Sequence, residues 1–137
     1  MKKQKSFEGT MTYSIGALGG IGMIWNKGKW ELTSQKLNNW WVRIDLKNKT
    51  TNEEFTMLNI YAPNHYRDKA LCWDSVKTKV QECQRSKLVL GGDMNLIRNI
   101  EENMGGKYHN DPSRATLEEI IEAHKLIGIP PCNGKFT

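Results

Sequence analysis

The chain has 137 residues and a net charge of +5, a length that suits one domain. Apolar residues make up 38% and charged residues 26%, which argues against a disordered chain, and five tryptophans call for a substantial apolar interior or interface. The positive excess is modest and mostly lysine, so it fits nucleic acid as an anionic partner and equally fits ordinary solvated lysines.

In chain order, residues 1–13 read as a loose basic lead-in, and one domain is expected over 14–137. Ser14 to Trp25 reads as a buried strand entered through a glycine turn, with Ile21, Met23 and Trp25 alternating with Gly22 and Ile24. Asn26 to Gly28 turn the chain, and Lys29 to Ser34 form a second strand. Asn38 and Asn39 turn it again. In the third strand, Trp40 to Leu46, the period of two puts Trp40, Val42, Ile44 and Leu46 on one face. Trp41, Arg43 and Asp45 take the other face. A polar loop, Lys47 to Asn52, leads into a fourth strand, Glu54 to Ala62, apolar enough for burial on both faces. To this point the pattern is an antiparallel meander.

Pro63 ends that strand. Asp68 is placed to cap a helix running to about Gln84, with an apolar stripe of Cys72, Val76, Val80 and Cys83 and with Trp73 beside it. The short central strand Leu88 to Leu90 follows, stopped by Gly91 and Gly92, so strand, helix and strand make a crossover unit. Asp93 and Asn95 fall on the bend beyond, roughly on one side, with Met94 turned toward apolar surroundings. An Asp and an Asn often do no more than close a turn. Beside a strand's C-terminal end they can also hold a cation, a water or a phosphate oxygen. A loop carrying Glu101, Glu102, Gly105 and Gly106 leads to a second helix, capped by Asp111 or Ser113. Its stripe is Leu117, Ile120, Ile121, His124 and Ile127, and Gly128 and Pro130 stop it.

Several classes are disfavoured. Cys72, Cys83 and Cys132 are odd in number and lack zinc-ligand spacing, and His65, His109 and His124 are scattered. The basic start followed by an apolar stretch has the order of a signal peptide. However, Thr12, Tyr13, Ser14 and the glycines interrupt it and no A-x-A site follows. No run of 18 apolar residues marks a membrane span. The expectation is an intracellular chain, nuclear or cytoplasmic, with no membrane partner.

Taken in order and spacing, GGIGMIW, LNIYAPN, GGDMN and GKFT resemble the endonuclease/exonuclease/phosphatase superfamily. The closest resemblance is to the apurinic-type endonuclease domain of plant non-LTR, LINE-like retrotransposons, and it runs from about Ser14 to Thr137. It implies an α/β (α+β) fold, part of a four-layer sandwich. A mixed, mainly antiparallel arrangement of two facing sheets has helices outside and a site where strand ends converge. It also implies roles. Asp93 matches the catalytic aspartate that orients or deprotonates the attacking water and shares a metal. Asn95 matches the asparagine that positions water and scissile phosphate. Tyr61 matches the tyrosine whose hydroxyl reaches the phosphate, and Asn64 the asparagine that contacts the substrate backbone. Mg2+ or Mn2+ and DNA are the cofactor and partner implied.

The chain also departs from that pattern. The metal-binding glutamate expected before GGIGMIW has no match in MKKQKSFEGTMTY, where Glu8 stands in the wrong context, and no late Ser-Asp-His element occurs. The expectation is therefore the middle of a DNA-nicking phosphodiesterase, cut at both ends and inactive alone. The alternatives are a non-catalytic nucleic-acid- or protein-binding remnant and a divergent small phosphoesterase.

Overall fold

A computed structural model of the chain describes residues 6–13, 20–83, 87–96 and 112–129. The Glu101–Gly106 loop, the capping position Asp111, Cys132 and the GKFT stretch lie outside them.

The described strands form two sheets. In the first, β1 (Phe7–Tyr13) pairs antiparallel with β2 (Gly20–Asn26). The second has four strands in the order β3 (Trp30–Leu37), β4 (Trp41–Asn48), β5 (Glu54–Tyr61) and β6 (Lys87–Asp93). Its first three strands form an antiparallel meander, and β6 joins β5 in parallel. A parallel neighbour demands a crossover connection. Helix α1 (Tyr66–Gln81) supplies it, and α2 (Pro112–His124) packs beside α1.

The period of two along β4 and β5 explains the layering. Val42, Ile44 and Leu46 face the first sheet and pack with Ile21 and Trp25 of β2. The opposite face carries Trp41, Leu58 and Ile60, which meet Cys72, Trp73, Val76 and Val80 of α1 and Leu117 and Ile120 of α2. The described residues thus stack as sheet, sheet and helices, with one apolar cluster at each junction. Burying each large apolar side chain contributes about 1.5–3 kcal/mol.

Several sequence expectations are corrected. Part of the lead-in is strand β1. Its apolar Phe7 and Met11 are exposed, and its other face carries Glu8 and Thr10, so it shows no core-facing pattern. The meander does not include β2, because the chain leaves the first sheet at the turn where Asn26 Oδ1 accepts from Gly28 N–H. Trp40 precedes β4, held in the bend where Asn38 Oδ1 accepts from the N–H groups of both Trp40 and Trp41, and packs on the helix side. Helix α1 begins two residues before Asp68; His65 is the N-cap and Asp68 lies in the first turn. Trp73 does not merely flank the stripe but is fully buried. Strand β6 runs through Gly91 and Gly92 and is the last strand of the described sheet, not a central one. Ser113 is inside α2 and buried. Helix α2 ends at His124, because Lys125 takes a left-handed φ of 53° and Leu126 N–H returns to Ile121 O, leaving Ile127 exposed.

Candidate active site at the ends of β5 and β6

The parallel ladder places Tyr61 directly beside Asp93. On β5, Leu58 and Ile60 face the helices, and on β6, Leu88 and Leu90 do. Tyr61 alternates with Leu58 and Ile60 and so lies on the face turned toward the first sheet; Asp93 stands beside it in register, directly after the positive-φ Gly92. Both are exposed, Tyr61 by 47%.

The backbone holds this corner from both sides. Tyr61 N–H donates to Trp40 O at 2.7 Å, and Ala62 N–H donates to Asp93 O at 2.8 Å. Gly92 has a φ of 107°, and a Cβ there would sit 2.0 Å from Ile60 O. Only glycine lets β6 come this close to β5 just before Asp93. Asn95 then takes a left-handed φ of 47°, a conformation Asn accepts better than most residues. Its N–H donates to Asp93 Oδ1 at 3.1 Å, and its Nδ2 donates to Ala62 O. That second bond pins the loop after β6 to the end of β5. Met94, between the two polar residues, packs on the helix-side cluster.

Tyr61, Asp93 and Asn95 are therefore brought to one corner. Asn64 is on the exposed bend three residues past Tyr61, at the same end of the sheet. A neighbour of this corner that sequence reasoning passed over is Asn59, whose Nδ2 donates across the sheets to Gly22 O at 2.9 Å. Its one signal was a polar side chain in the apolar second half of the strand, two residues before Tyr61.

A phenol, a carboxylate and carboxamides can orient a water and bind the oxygens of a phosphoryl group. They do not by themselves make a magnesium or manganese site, since such ions want several fixed oxygens and Asp93 supplies one carboxylate. Among the described residues no group of three His, Cys, Asp or Glu side chains could hold a metal.

A second polar cluster lies lower on the sheet, on the helix face. Arg43 is almost fully buried; its Nε and Nη2 bond both Asp45 oxygens at 3.2 Å, and its Nη1 bonds Glu82 at 3.0 Å. Thr56 Oγ1 donates to Asp45 Oδ1 at 2.7 Å. Burial works most strongly against the Arg43 charge, but the hydrogen bonding to Asp45 and the attraction of Asp45 and Glu82 together outweigh it and hold the guanidinium above its ordinary value. The Lys79 hydrogen bond, opposed by desolvation and aided by the charges of Lys79, Lys36 and Arg43, holds Glu82 below the usual carboxylate range. Every charge here is matched, and Thr56 is five residues from Tyr61 along β5, about 17 Å. The cluster ties sheet to helix and takes no part in the corner.

No protein-family model and no curated protein matches the chain. Solved structures do. The human Nocturnin catalytic domain with bound sulfate anion superposes with a TM-score of 0.56 at 12% identity, over 70% of this chain and 45% of that one. The endonuclease/exonuclease/phosphatase from Bacteroides vulgatus gives 0.56 at 14% identity, over 72% and 47%. D. rerio TDP2 humanized by 14 mutations gives 0.52 at 13% identity, over 74% and 48%. The chain thus has the endonuclease/exonuclease/phosphatase fold and spans under half the length of each of these three structures. Among the described residues, no helix is long and apolar enough to cross a membrane.

Proposed function

We propose that the chain is part of a phosphodiester hydrolase of the retrotransposon endonuclease kind, acting on DNA through the Tyr61–Asp93 corner. The observation that carries this reading is the register of β5 and β6, which sets Tyr61 against Asp93 while Asn95 bonds across to Ala62. In this reading Asp93 orients or deprotonates the attacking water. One of its oxygens is engaged by the Asn95 N–H, and a carboxylate has a second with which to hold that water. The Tyr61 hydroxyl and the Asn64 amide donate to phosphate oxygens, and Asn95 keeps the loop from drifting off β5. A divalent ion enters only through the family resemblance, and none of these steps runs through it.

Among the described residues no further acidic side chain joins Asp93 in a metal-holding group, which favours a second reading, a module that binds nucleic acid without cleaving it. Fluorescence anisotropy with labelled duplex DNA tests what the two readings share. Tyr61→Phe and Asn64→Ala should each weaken binding about tenfold, the loss of one hydrogen bond to a charged group. Affinity unchanged by both substitutions would remove the corner from DNA recognition. Nicking of supercoiled plasmid with added Mg2+ or Mn2+ separates the two: cleavage abolished by Asp93→Ala establishes the hydrolase, and binding without cleavage establishes the module.

A further inference from the structure

On the face that β5 turns toward the first sheet, Met57, Asn59 and Tyr61 follow one another at every second residue. Asn59 lies beside Val42 of β4 on one side and Gly91 of β6 on the other. Its Nδ2–Gly22 O bond, 2.9 Å long, crosses from the four-stranded sheet to β2. Its Oδ1 is 2.6 Å from the point a Cβ on Gly92 would occupy. One side chain therefore touches the facing sheet and abuts the glycine pair that leads to Asp93. Among the described residues, apolar side chains such as Trp25, Val42 and Ile44 also join the two sheets. Apolar contact is non-directional, whereas a hydrogen bond fixes distance and angle.

We infer that Asn59 is a positioning residue: it ties Gly22 to β5 beside Gly91 and Gly92, and so sets the gap between the sheets at the end where Tyr61 stands in register with Asp93. This rests on the reading of that corner as the functional one. Its test uses 3-fluorotyrosine placed at position 61 of the full chain and read by 19F NMR. The quantity is the change in the fluorine resonance caused by Asp93→Asn, measured with Asn59 present and again with Asn59→Leu, which keeps the branched shape and removes the donor. Circular dichroism fixes conditions under which both proteins are folded. The response to Asp93→Asn is expected to fall by half or more with Asn59→Leu. Should Asn59→Leu not fold, Asn59→Ser is used; its hydroxyl stops short of Gly22 O, and the same loss is expected. An undiminished response in either folded variant overturns the inference and leaves Asn59 a strut for stability alone. DNA affinity insensitive to Tyr61→Phe would instead overturn the functional reading while leaving the fluorine coupling intact.

Discussion

Gly92 is the residue on which the corner's geometry is least negotiable. Its φ of 107° and the 2.0 Å approach of Ile60 O to a Cβ act together, one through backbone strain and the other through collision. Gly92→Ala should cost about 2–4 kcal/mol, measured as a lower urea midpoint. Gly91→Ala meets nothing within 4 Å and should cost far less. Cys72 illustrates a purely local effect of another kind. Burial pushes its thiol from 9.0 up to about 12. Below pH 9 both folded and unfolded chains keep the proton, so the group is neutral to stability. Between 9 and about 12 only the unfolded chain ionises, and stability falls as pH rises, by about 1.4 kcal/mol per unit at the steepest. Replacing Cys72 with Ala should flatten the alkaline limb of a Tm-against-pH curve. At this scale a short motif was enough to place Asp93 and Asn95 at the C-terminal end of the strand after α1. Asn59 was not readable, because its partner is Gly22, far away in the chain and on the other sheet.

Elements were legible in proportion to how cleanly their apolar residues face one way. Strands β4 and β5 and the stripe of α1 stand out because Val42, Ile44, Leu58, Cys72 and Val76 all point at a core. Strand β1 was missed because its exposed face is the apolar one. The end of α2 was overrun because Ile127 continues the helical period although the backbone has already turned at Lys125. Which strands share a sheet cannot be read from period at all; the separation of β2 from β3 is decided by packing across the interface. The Arg43 cluster gives the element-scale prediction. Arg43→Ala leaves Asp45 and Glu82 without their shared partner and should cost about 2 kcal/mol, less than a fully buried pair because Glu82 reaches solvent. The lowered pKa of Glu82 means that its contribution is present above the unfolded carboxylate range and lost as pH falls through its folded value. Glu82→Gln should therefore reduce the loss of Tm on acidification from about pH 6 to about pH 3.

For the molecule as a whole, the four-stranded sheet is shared between two apolar clusters, one against β2 and one against the helices. Loosening either exposes the same strands to water, so the layers should unfold together. Helical circular dichroism and tryptophan fluorescence are expected to give coincident denaturation curves. Two separated transitions would show that the β1–β2 sheet is held independently. Trp73→Ala, at the centre of the helix-side cluster, should shift both signals equally and cost about 3–5 kcal/mol. The parallel pairing of β5 with β6 also orders events in time. A chain leaving the ribosome can close β3, β4 and β5 as each is made. Tyr61 gains its neighbour only when α1 has been synthesised and the chain has doubled back. The Tyr61–Asp93 pairing is thus among the last parts of the described sheet to form, and a nascent chain halted before Asp93 would hold the whole meander with that pairing still unmade.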